Sequence, residues 1–338
     1  MVLGVVTALA FGGLVVYAII SHGYGWVLRS DGQHYYRVAT DPFGNGSAFA
    51  GAQPGAGTAY RYGRILYPLG AWILALGNPD WVRYSLPLVY VCGVWLAATL
   101  ACELCRLAGK PAIHGLFSLA VPGTFVISPI LVPELFITGL ILLVYRFVLA
   151  NRVRDAQITA AFLLLARETA VLAVIPLALA SLMNRRYVVA LRWAGTGIPL
   201  ALWWGWVRLR VGLWPFLDPV NSYNRPLDLP FRGFLAMIWH SGADTSLVIA
   251  SLAGWLTIAT ALWVLIVVRS FPIASGAAWM ASLIVFFGPG QATLPGEAFR
   301  LMMPVQILIV LAFLTQPSSR TSRTTGSPAS ARGGRTSL

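Results

Sequence analysis

Charged residues are scarce in this sequence. They make up 10% of its 338 residues, whereas about a quarter of the residues in a soluble domain are charged. Hydrophobic residues reach 58%. Apolar runs of roughly 18 or more residues recur, and each predicts a helix because the backbone must satisfy its own polar groups in lipid. Alternating segments of about ten residues, as in a membrane β-barrel, are absent. The sequence predicts an all-α membrane protein.

Cysteine and the common catalytic motifs are also scarce. Cys92 lies in a predicted span, and Cys102 and Cys105 form a lone CxxC pair without a nearby histidine. A zinc or redox site is therefore disfavoured. The chain has no P-loop, no GxSxG and no paired metal-ligand cluster. It also has no evident internal repeat, which argues against the inverted-repeat transporter folds. The N-terminus lacks a signal-peptide pattern, so the first apolar run is expected to remain as a span.

About nine or ten membrane segments are expected. The ordinary spans are predicted at residues 2–20, 85–104, 112–128, 131–150, 189–206, 246–268, 271–288 and 301–314. Polar stretches predict two long outer loops, 21–84 and 207–245, and a short one, 289–299. Residues 1–315 then form one transmembrane domain. Residues 316–338, rich in Ser, Thr, Gly and Arg, predict a disordered basic tail.

One apolar segment, 156–183, does not fit a single crossing. It separates two clusters of arginine, 152–154 and 185–192, which a single crossing would place on opposite sides. Its centre carries Arg167, Glu168 and Thr169. Polar groups at membrane depth are tolerated where they line protein or water. We therefore favour a hairpin of two half-length helices, with a single span as the alternative.

The basic residues are nearly all arginine, with Lys110 the only lysine. With both termini placed in the cytoplasm, that side holds 13 basic residues and two acids, and the other holds 11 basic residues and nine acids. This asymmetry agrees with the positive-inside rule. It predicts a multi-pass protein of the cell (plasma or inner) membrane with its chemistry on the extracytoplasmic side.

Asp31 is the best candidate for a catalytic group. It lies about ten residues beyond the first span. His34 and Tyr35 follow at i+3 and i+4, so the three share one face if the segment is helical. A carboxylate at that place can take a proton from an incoming hydroxyl, as a general base does. The alternative role for Asp31 is a helix N-cap.

Three further groups of residues are candidates for binding. Arg61 and Arg64 lie among tyrosines, just before Tyr67 and an amphipathic stretch, 66–76. Guanidinium groups there suit phosphate, although interfacial anchoring is the alternative. Arg167 and Glu168 form either a functional pair or a buried structural one. Arg300 follows Glu297 at i+3, the spacing of an ordinary surface pair. Glu134, at the outer start of a predicted span, either reaches a cavity shared with these residues or caps its own helix.

The order of these features resembles the GT-C superfamily of integral-membrane glycosyltransferases, which use polyprenyl-phosphate-linked sugars. It is most similar to bacterial relatives of the GPI mannosyltransferases and protein O-mannosyltransferases. The resemblance rests on a first span, a large outer loop opening with Asp31-Gly32-Gln33-His34-Tyr35-Tyr36, the segment Arg61-Tyr62-Gly63-Arg64-Ile65-Leu66-Tyr67-Pro68, and Arg167-Glu168-Thr169.

The resemblance implies transfer of a mannose-like sugar to an extracytoplasmic lipid, glycan or protein acceptor, with Asp31 as base and no nucleic acid partner. Arg64 and Arg167 would neutralise the donor phosphate, helped by Arg300. Many relatives pair their aspartate with a second acid, whereas Asp31 has no acidic neighbour before Asp41. No cofactor is therefore certain, and a divalent cation stays open. Two alternatives remain: a transporter or flippase for a lipid-linked or anionic substrate, and a scaffold of the cell envelope.

Overall fold

A computed structural model describes residues 1–29, 31–44, 57–218, 230–233, 245–268, 272–286 and 295–316. The predicted tail and most of the loop 207–245 lie outside these ranges, as do parts of the other two loops. All regular structure in the described ranges is helical. The first half of the chain forms α1 (Val2–His22), α2 (Tyr24–Val27), α3 (Gly32–Thr40), α4 (Thr58–Tyr62), α5 (Leu66–Leu74), α6 (Val82–Leu107), α7 (His114–Phe117), α8 (Pro122–Ile127) and α9 (Glu134–Leu149).

The second half forms α10 (Val153–Ala166), α11 (Val171–Met183), α12 (Tyr187–Gly195), α13 (Ile198–Val211), α14 (Thr245–Val267), α15 (Ile273–Val285) and α16 (Pro295–Leu314). Short 3-10 turns precede α6 (Pro79–Trp81) and α11 (Glu168–Ala170) and follow α13 (Pro215–Leu217). Within the described residues, three helical segments are long and apolar enough to cross a membrane: Val2–His22, Pro79–Leu107 and Val248–Val267.

Two predicted spans are not continuous helices. Residues 112–128 form the short helices α7 and α8, since Val121 is extended (φ −98°, ψ 152°) directly before Pro122, and a residue before proline avoids the helical region. Residues 189–206 are divided between α12 and α13 by a turn at Thr196 and Gly197. Apolar length alone overlooks such breaks.

The core is built around α6. Helices α1, α5 and α9 pack along it, α10 packs on α9, and α14, α15 and α16 form a second group that reaches α9 and α6 through α16. Two small residues allow the close packing. A Cβ at Gly93 would come within 2.8 Å of the Phe136 backbone, and one at Gly115 would overlap the α6 backbone at Ala101.

The segment 156–183 folds back on itself, as the hairpin interpretation predicts. Arg167 is extended (φ −161°, ψ 118°) and separates α10 from the turn before α11. The amide Nε2 of Gln157, near the start of α10, donates a hydrogen bond of 3.2 Å to the carbonyl of Val189, in α12. A straight helix of 28 residues would move the chain about 42 Å. Val189 follows α11 closely, so this hydrogen bond shows that the chain has returned to its starting level.

The helix ends fall into two groups, which define two ends of the bundle. The start of α16 meets the segment after α1 and the start of α9 through Arg300, Asp31 and Glu134. We call this the Asp31 end. Glu103 and Arg146 pair at 2.6 Å, near the ends of α6 and α9. That opposite end also receives the starts of α10 and α12, and we call it the basic end.

Candidate functional site

The carboxylate of Asp31 does not cap a helix. The backbone carbonyl of Asp31 accepts from the amides of His34 (2.9 Å) and Tyr35 (3.1 Å), the start of α3, but its side chain makes no cap hydrogen bond. It accepts instead from Nη2 of Arg300, at 2.6 Å. The carboxylate is therefore available to the site, as a general base requires.

Arg300 belongs to a buried chain of ion pairs. Its Nε lies 3.1 Å from Oε1 of Glu134, and the same oxygen accepts from Nη1 of Arg167 at 3.3 Å. Glu134 is only 1% exposed, at the first residue of α9. Arg300 is 5% exposed, so it is not an ordinary surface residue. The side chain of Glu297, its predicted partner, lies outside the described residues, and that pairing stays a prediction. Glu134 was expected either to reach the site or to cap its helix, and the structure places it within the charged cluster.

Arg64 and Glu168 form a second, two-pronged ion pair. Nε of Arg64 donates to Oε2 (2.9 Å) and Nη2 to Oε1 (2.6 Å). The guanidinium also lies 4.3 Å from the ring centre of Tyr60. Because Glu168 is adjacent to Arg167 at the hairpin turn, this pair lies next to the first cluster. The hairpin thus supplies Arg167 to the first cluster and Glu168 to the pair with Arg64.

Aromatic residues of α13 hold the segment that carries Arg61 and Arg64. The indole nitrogens of Trp203 and Trp204 donate to the carbonyls of Tyr62 (2.7 Å) and Gly63 (3.3 Å). Asp218 accepts from the amide of Ala59 at 2.8 Å. The two tryptophans therefore fix a backbone turn of the site.

Two carboxylates of the cluster, those of Asp31 and Glu168, are more accessible than its guanidiniums, whereas Glu134 is buried. The side chains of Asp31 and Glu168 are 39% and 24% exposed, while those of Arg300, Arg64 and Arg167 are 6%, 7% and 10% exposed. With Glu134, the three acids balance the three arginines. An approaching molecule therefore meets carboxylate oxygens first, with the positive charge directly beneath them.

The charge of Arg300 controls the ionisation of Asp31. Burial alone would raise the pKa of this carboxyl, but Arg300, with smaller contributions from Arg64 and His34, lowers it from 3.8 to about 2. Asp31 is thus ionised at neutral pH. It is a weak base while Arg300 holds it, since the best catalytic pKa lies near the working pH.

His34 and Arg61 lie beside Asp31 on the accessible side. Burial and the charge of Arg61 lower the pKa of His34 to about 4, against the opposing charge of Asp31. His34 is therefore neutral at pH 7 and can both donate and accept a hydrogen bond. Arg61 is half-buried. It is the most accessible of the arginines predicted to bind phosphate.

The two predicted tyrosines lie below the site rather than on its surface. Tyr35 and Tyr67 are 6% and 0% exposed, and their rings pack edge to face with centres 5.6 Å apart. They support α3 against α5. Direct contact with a substrate would require them to move.

The structure brings Asp31, Arg64, Arg167, Glu168 and Arg300 together, as expected of one site. Sequence reasoning noted Glu134 but left it out of the candidate site; its position at the outer start of a span was the available signal. Within the described residues, no group of three His, Cys, Asp or Glu side chains is placed to hold a metal ion. Comparison with models of protein families, with curated proteins and with solved structures finds no match.

Proposed function

We propose that the protein is a polytopic membrane glycosyltransferase. It would transfer a sugar, mannose-like by resemblance, from a polyprenyl-phosphate-linked donor to an extracytoplasmic acceptor. The observation that carries the proposal is the partly exposed carboxylate of Asp31 above three buried guanidiniums, at the end of the bundle opposite the pair of Glu103 and Arg146. A lipid-linked donor lies in the membrane plane, so its sugar-phosphate bond would reach this level.

Transfer with inversion would use these residues as follows. The acceptor oxygen forms a bond to the anomeric carbon while its proton passes to Asp31. The bond between that carbon and the phosphate oxygen breaks, and its electron pair leaves with the phosphate. Positive charge near the leaving phosphate stabilises the charge that develops there. Arg61 can meet the phosphate at the surface, and Arg300 and Arg64 lie beneath.

The sharing of Arg300 supports a donor-dependent activation of Asp31. Its Nη2 donates to the accessible carboxylate of Asp31, while its Nε lies 3.1 Å from the buried carboxylate of Glu134. An entering phosphate would therefore compete at the Asp31 side. Loss of that cation raises the pKa of Asp31 and makes it a stronger base. Glu134 continues to compensate Arg300, which avoids a buried unpaired charge. The proposed order is therefore donor first, acceptor second.

The replacement of Asp31 by Asn tests this function. Purified Asp31→Asn protein should lose transfer from a polyprenyl-phosphate sugar by at least about 100-fold, since general base catalysis contributes about 10²–10⁴-fold. Asp80→Asn is the matched control, because Asp80 is an exposed aspartate at the same end of the bundle, and it should retain full activity. Full transfer by the Asp31→Asn variant would remove the base assignment.

A transporter for a lipid-linked or anionic substrate is the second candidate. The break at Arg167, with charged groups in the interior, favours it, because transporters bind substrates at interrupted helices. In sealed vesicles a transporter would move the labelled lipid-linked sugar across the membrane and leave it intact. The proposed enzyme would instead release polyprenyl phosphate only when an acceptor is present.

A further inference from the structure

The basic end of the bundle carries an excess of exposed positive charge. Arg154, Arg185, Arg186 and Arg192 are all exposed, and none is ion-paired within the part of the chain that the structure describes. The nearest acid in sequence, Asp155, is already paired with Arg152 at 2.6 Å. We call these four arginines the basic surface.

Two separate parts of the chain form the basic surface, and a hydrogen bond holds them together. Arg154 lies in the first turn of α10, while the other three arginines lie just before and within α12. The bond from Gln157 to the carbonyl of Val189 joins the two helices. Trp193 is 3% exposed and fixes the other face of α12 against the protein. The arginines are therefore presented on a fixed support.

Large apolar side chains are interleaved with these arginines. Tyr187, Val188 and Leu191 are 63%, 64% and 73% exposed. Tyr187 and Leu191 share one face of α12 at i and i+4 spacing, and Arg192 lies beside them. A partner that covers this surface must combine negative charge with apolar bulk within one helical turn.

We propose that the basic surface binds the headgroups of anionic phospholipids, while the apolar face of α12 contacts their acyl chains. A nucleic acid backbone would satisfy the charge but leave the tyrosine, valine and leucine without apolar contacts. An anionic phospholipid provides both a phosphate for the guanidiniums and hydrocarbon for α12. This surface lies at the opposite end from Asp31, so the inference does not depend on the proposed transfer reaction.

Spin-labelled lipids can test this in vesicles that contain the full-length protein. Electron spin resonance gives the fraction of labelled phosphatidylglycerol held at the protein, compared with phosphatidylcholine. The wild type should prefer phosphatidylglycerol. The triple variant Arg185→Gln, Arg186→Gln, Arg192→Gln should lose most of this preference, about fivefold for each arginine that contacts the anionic surface. High salt should weaken the wild-type preference because it screens exposed charges.

Two further variants separate specific binding from net charge and from misfolding. Arg29→Gln, Arg83→Gln, Arg208→Gln removes three exposed arginines at the Asp31 end and should keep the preference. Replacement of Arg185, Arg186 and Arg192 by lysine should also keep most of it, since the charge remains. Equal loss in both glutamine triples, or no preference in the wild type, would overturn the proposal. Displacement of bound phosphatidylglycerol by an acidic peptide would instead indicate a protein partner, and would also overturn it.

Discussion

Asp31 and Glu134 share the guanidinium of Arg300, yet their surroundings differ strongly. The side chain of Asp31 is 39% exposed and that of Glu134 is 1% exposed. A buried carboxylate between two guanidiniums can hold them in place, but it cannot meet an incoming hydroxyl. An exposed carboxylate on the same cation can do so once the cation is drawn away. One arginine thus links a residue suited to positioning with a residue suited to proton transfer.

The pKa of Asp31 is expected to rise when Arg300 is replaced by Gln. Arg300 is the main cause that lowers this pKa from 3.8 to about 2, and without it the effect of burial, which raises the pKa, would dominate. The pKa of the carboxyl should then lie well above its value in the wild type. Infrared titration of the carboxyl C=O band, after subtraction of the Asp31→Asn spectrum, measures the change.

Because the pKa of Asp31 is lowered in the folded protein, its ionisation also affects the stability of the protein in acid. A carboxyl whose pKa is lowered in the folded state stabilises the protein above its unfolded pKa, and this contribution is lost as the pH falls through the folded value. For Asp31 the window runs from about pH 4 to about pH 2. Arg152→Gln, at an exposed pair, should leave the titration of Asp31 unchanged. An Asp31 band that still titrates near pH 2 in Arg300→Gln would contradict the assignment.

Only part of the charged cluster can be predicted at the residue scale. An aspartate just beyond a span and arginines near mid-segment are visible in the sequence because such residues are rare in apolar surroundings. Their partners are not visible, since Arg300 is 269 positions from Asp31 and Arg64 is 104 from Glu168. The i+3 spacing favoured Glu297 as the partner of Arg300. Tertiary packing also places Arg300 between Asp31 and Glu134, which the spacing does not predict.

Two apolar segments are interrupted, the hairpin at Arg167 and the span 112–128, and only the first interruption is clearly predicted by the sequence. The break at Arg167 was predictable, because charge at the centre of a long apolar segment and arginines at both ends require an explanation. The break at 118–121 carries no charge. Its main signal is Pro122, which also fits the first turn of a helix. Apolar length therefore located the membrane-like segments better than it located helix ends.

Close packing of α7 on α6 is expected to be sensitive to one methyl group. A Cβ at Gly115 would overlap the backbone at Ala101 and Cys102, and backbone cannot rotate away as a side chain can. Gly115→Ala should therefore lower the free energy of unfolding by about 1–3 kcal/mol, as overpacking does. Thermal unfolding of the purified protein measures the loss.

Gly205 provides the matched control for this substitution. A Cβ at Gly205, in α13, has no atom within 4 Å, and alanine is a better helix former than glycine. Gly205→Ala should leave the melting temperature unchanged or raise it. An equal decrease in both variants would mean that the packing of α7 on α6 is looser than the structure indicates.

The whole molecule combines the charge-balanced cluster at the Asp31 end with the basic surface at the opposite end. If the helices cross a membrane, the return of the chain at Arg167 must place Arg186 on the same side as Arg106, at the end of α6, and opposite Arg83, at its start. A single crossing by residues 156–183 would put Arg186 with Arg83. Sidedness therefore tests the hairpin and the two-ended arrangement together.

Single cysteines provide the measurement, in a protein whose Cys92, Cys102 and Cys105 are replaced by alanine. In sealed vesicles of one orientation, a membrane-impermeant maleimide should label Arg186→Cys and Arg106→Cys from one side. Arg83→Cys should react only from the other. Labelling of Arg186→Cys and Arg83→Cys from a common side would contradict the hairpin, whereas reaction of all three from both sides would contradict the membrane-spanning arrangement itself. The expected result would place Asp31 across the membrane from the basic surface.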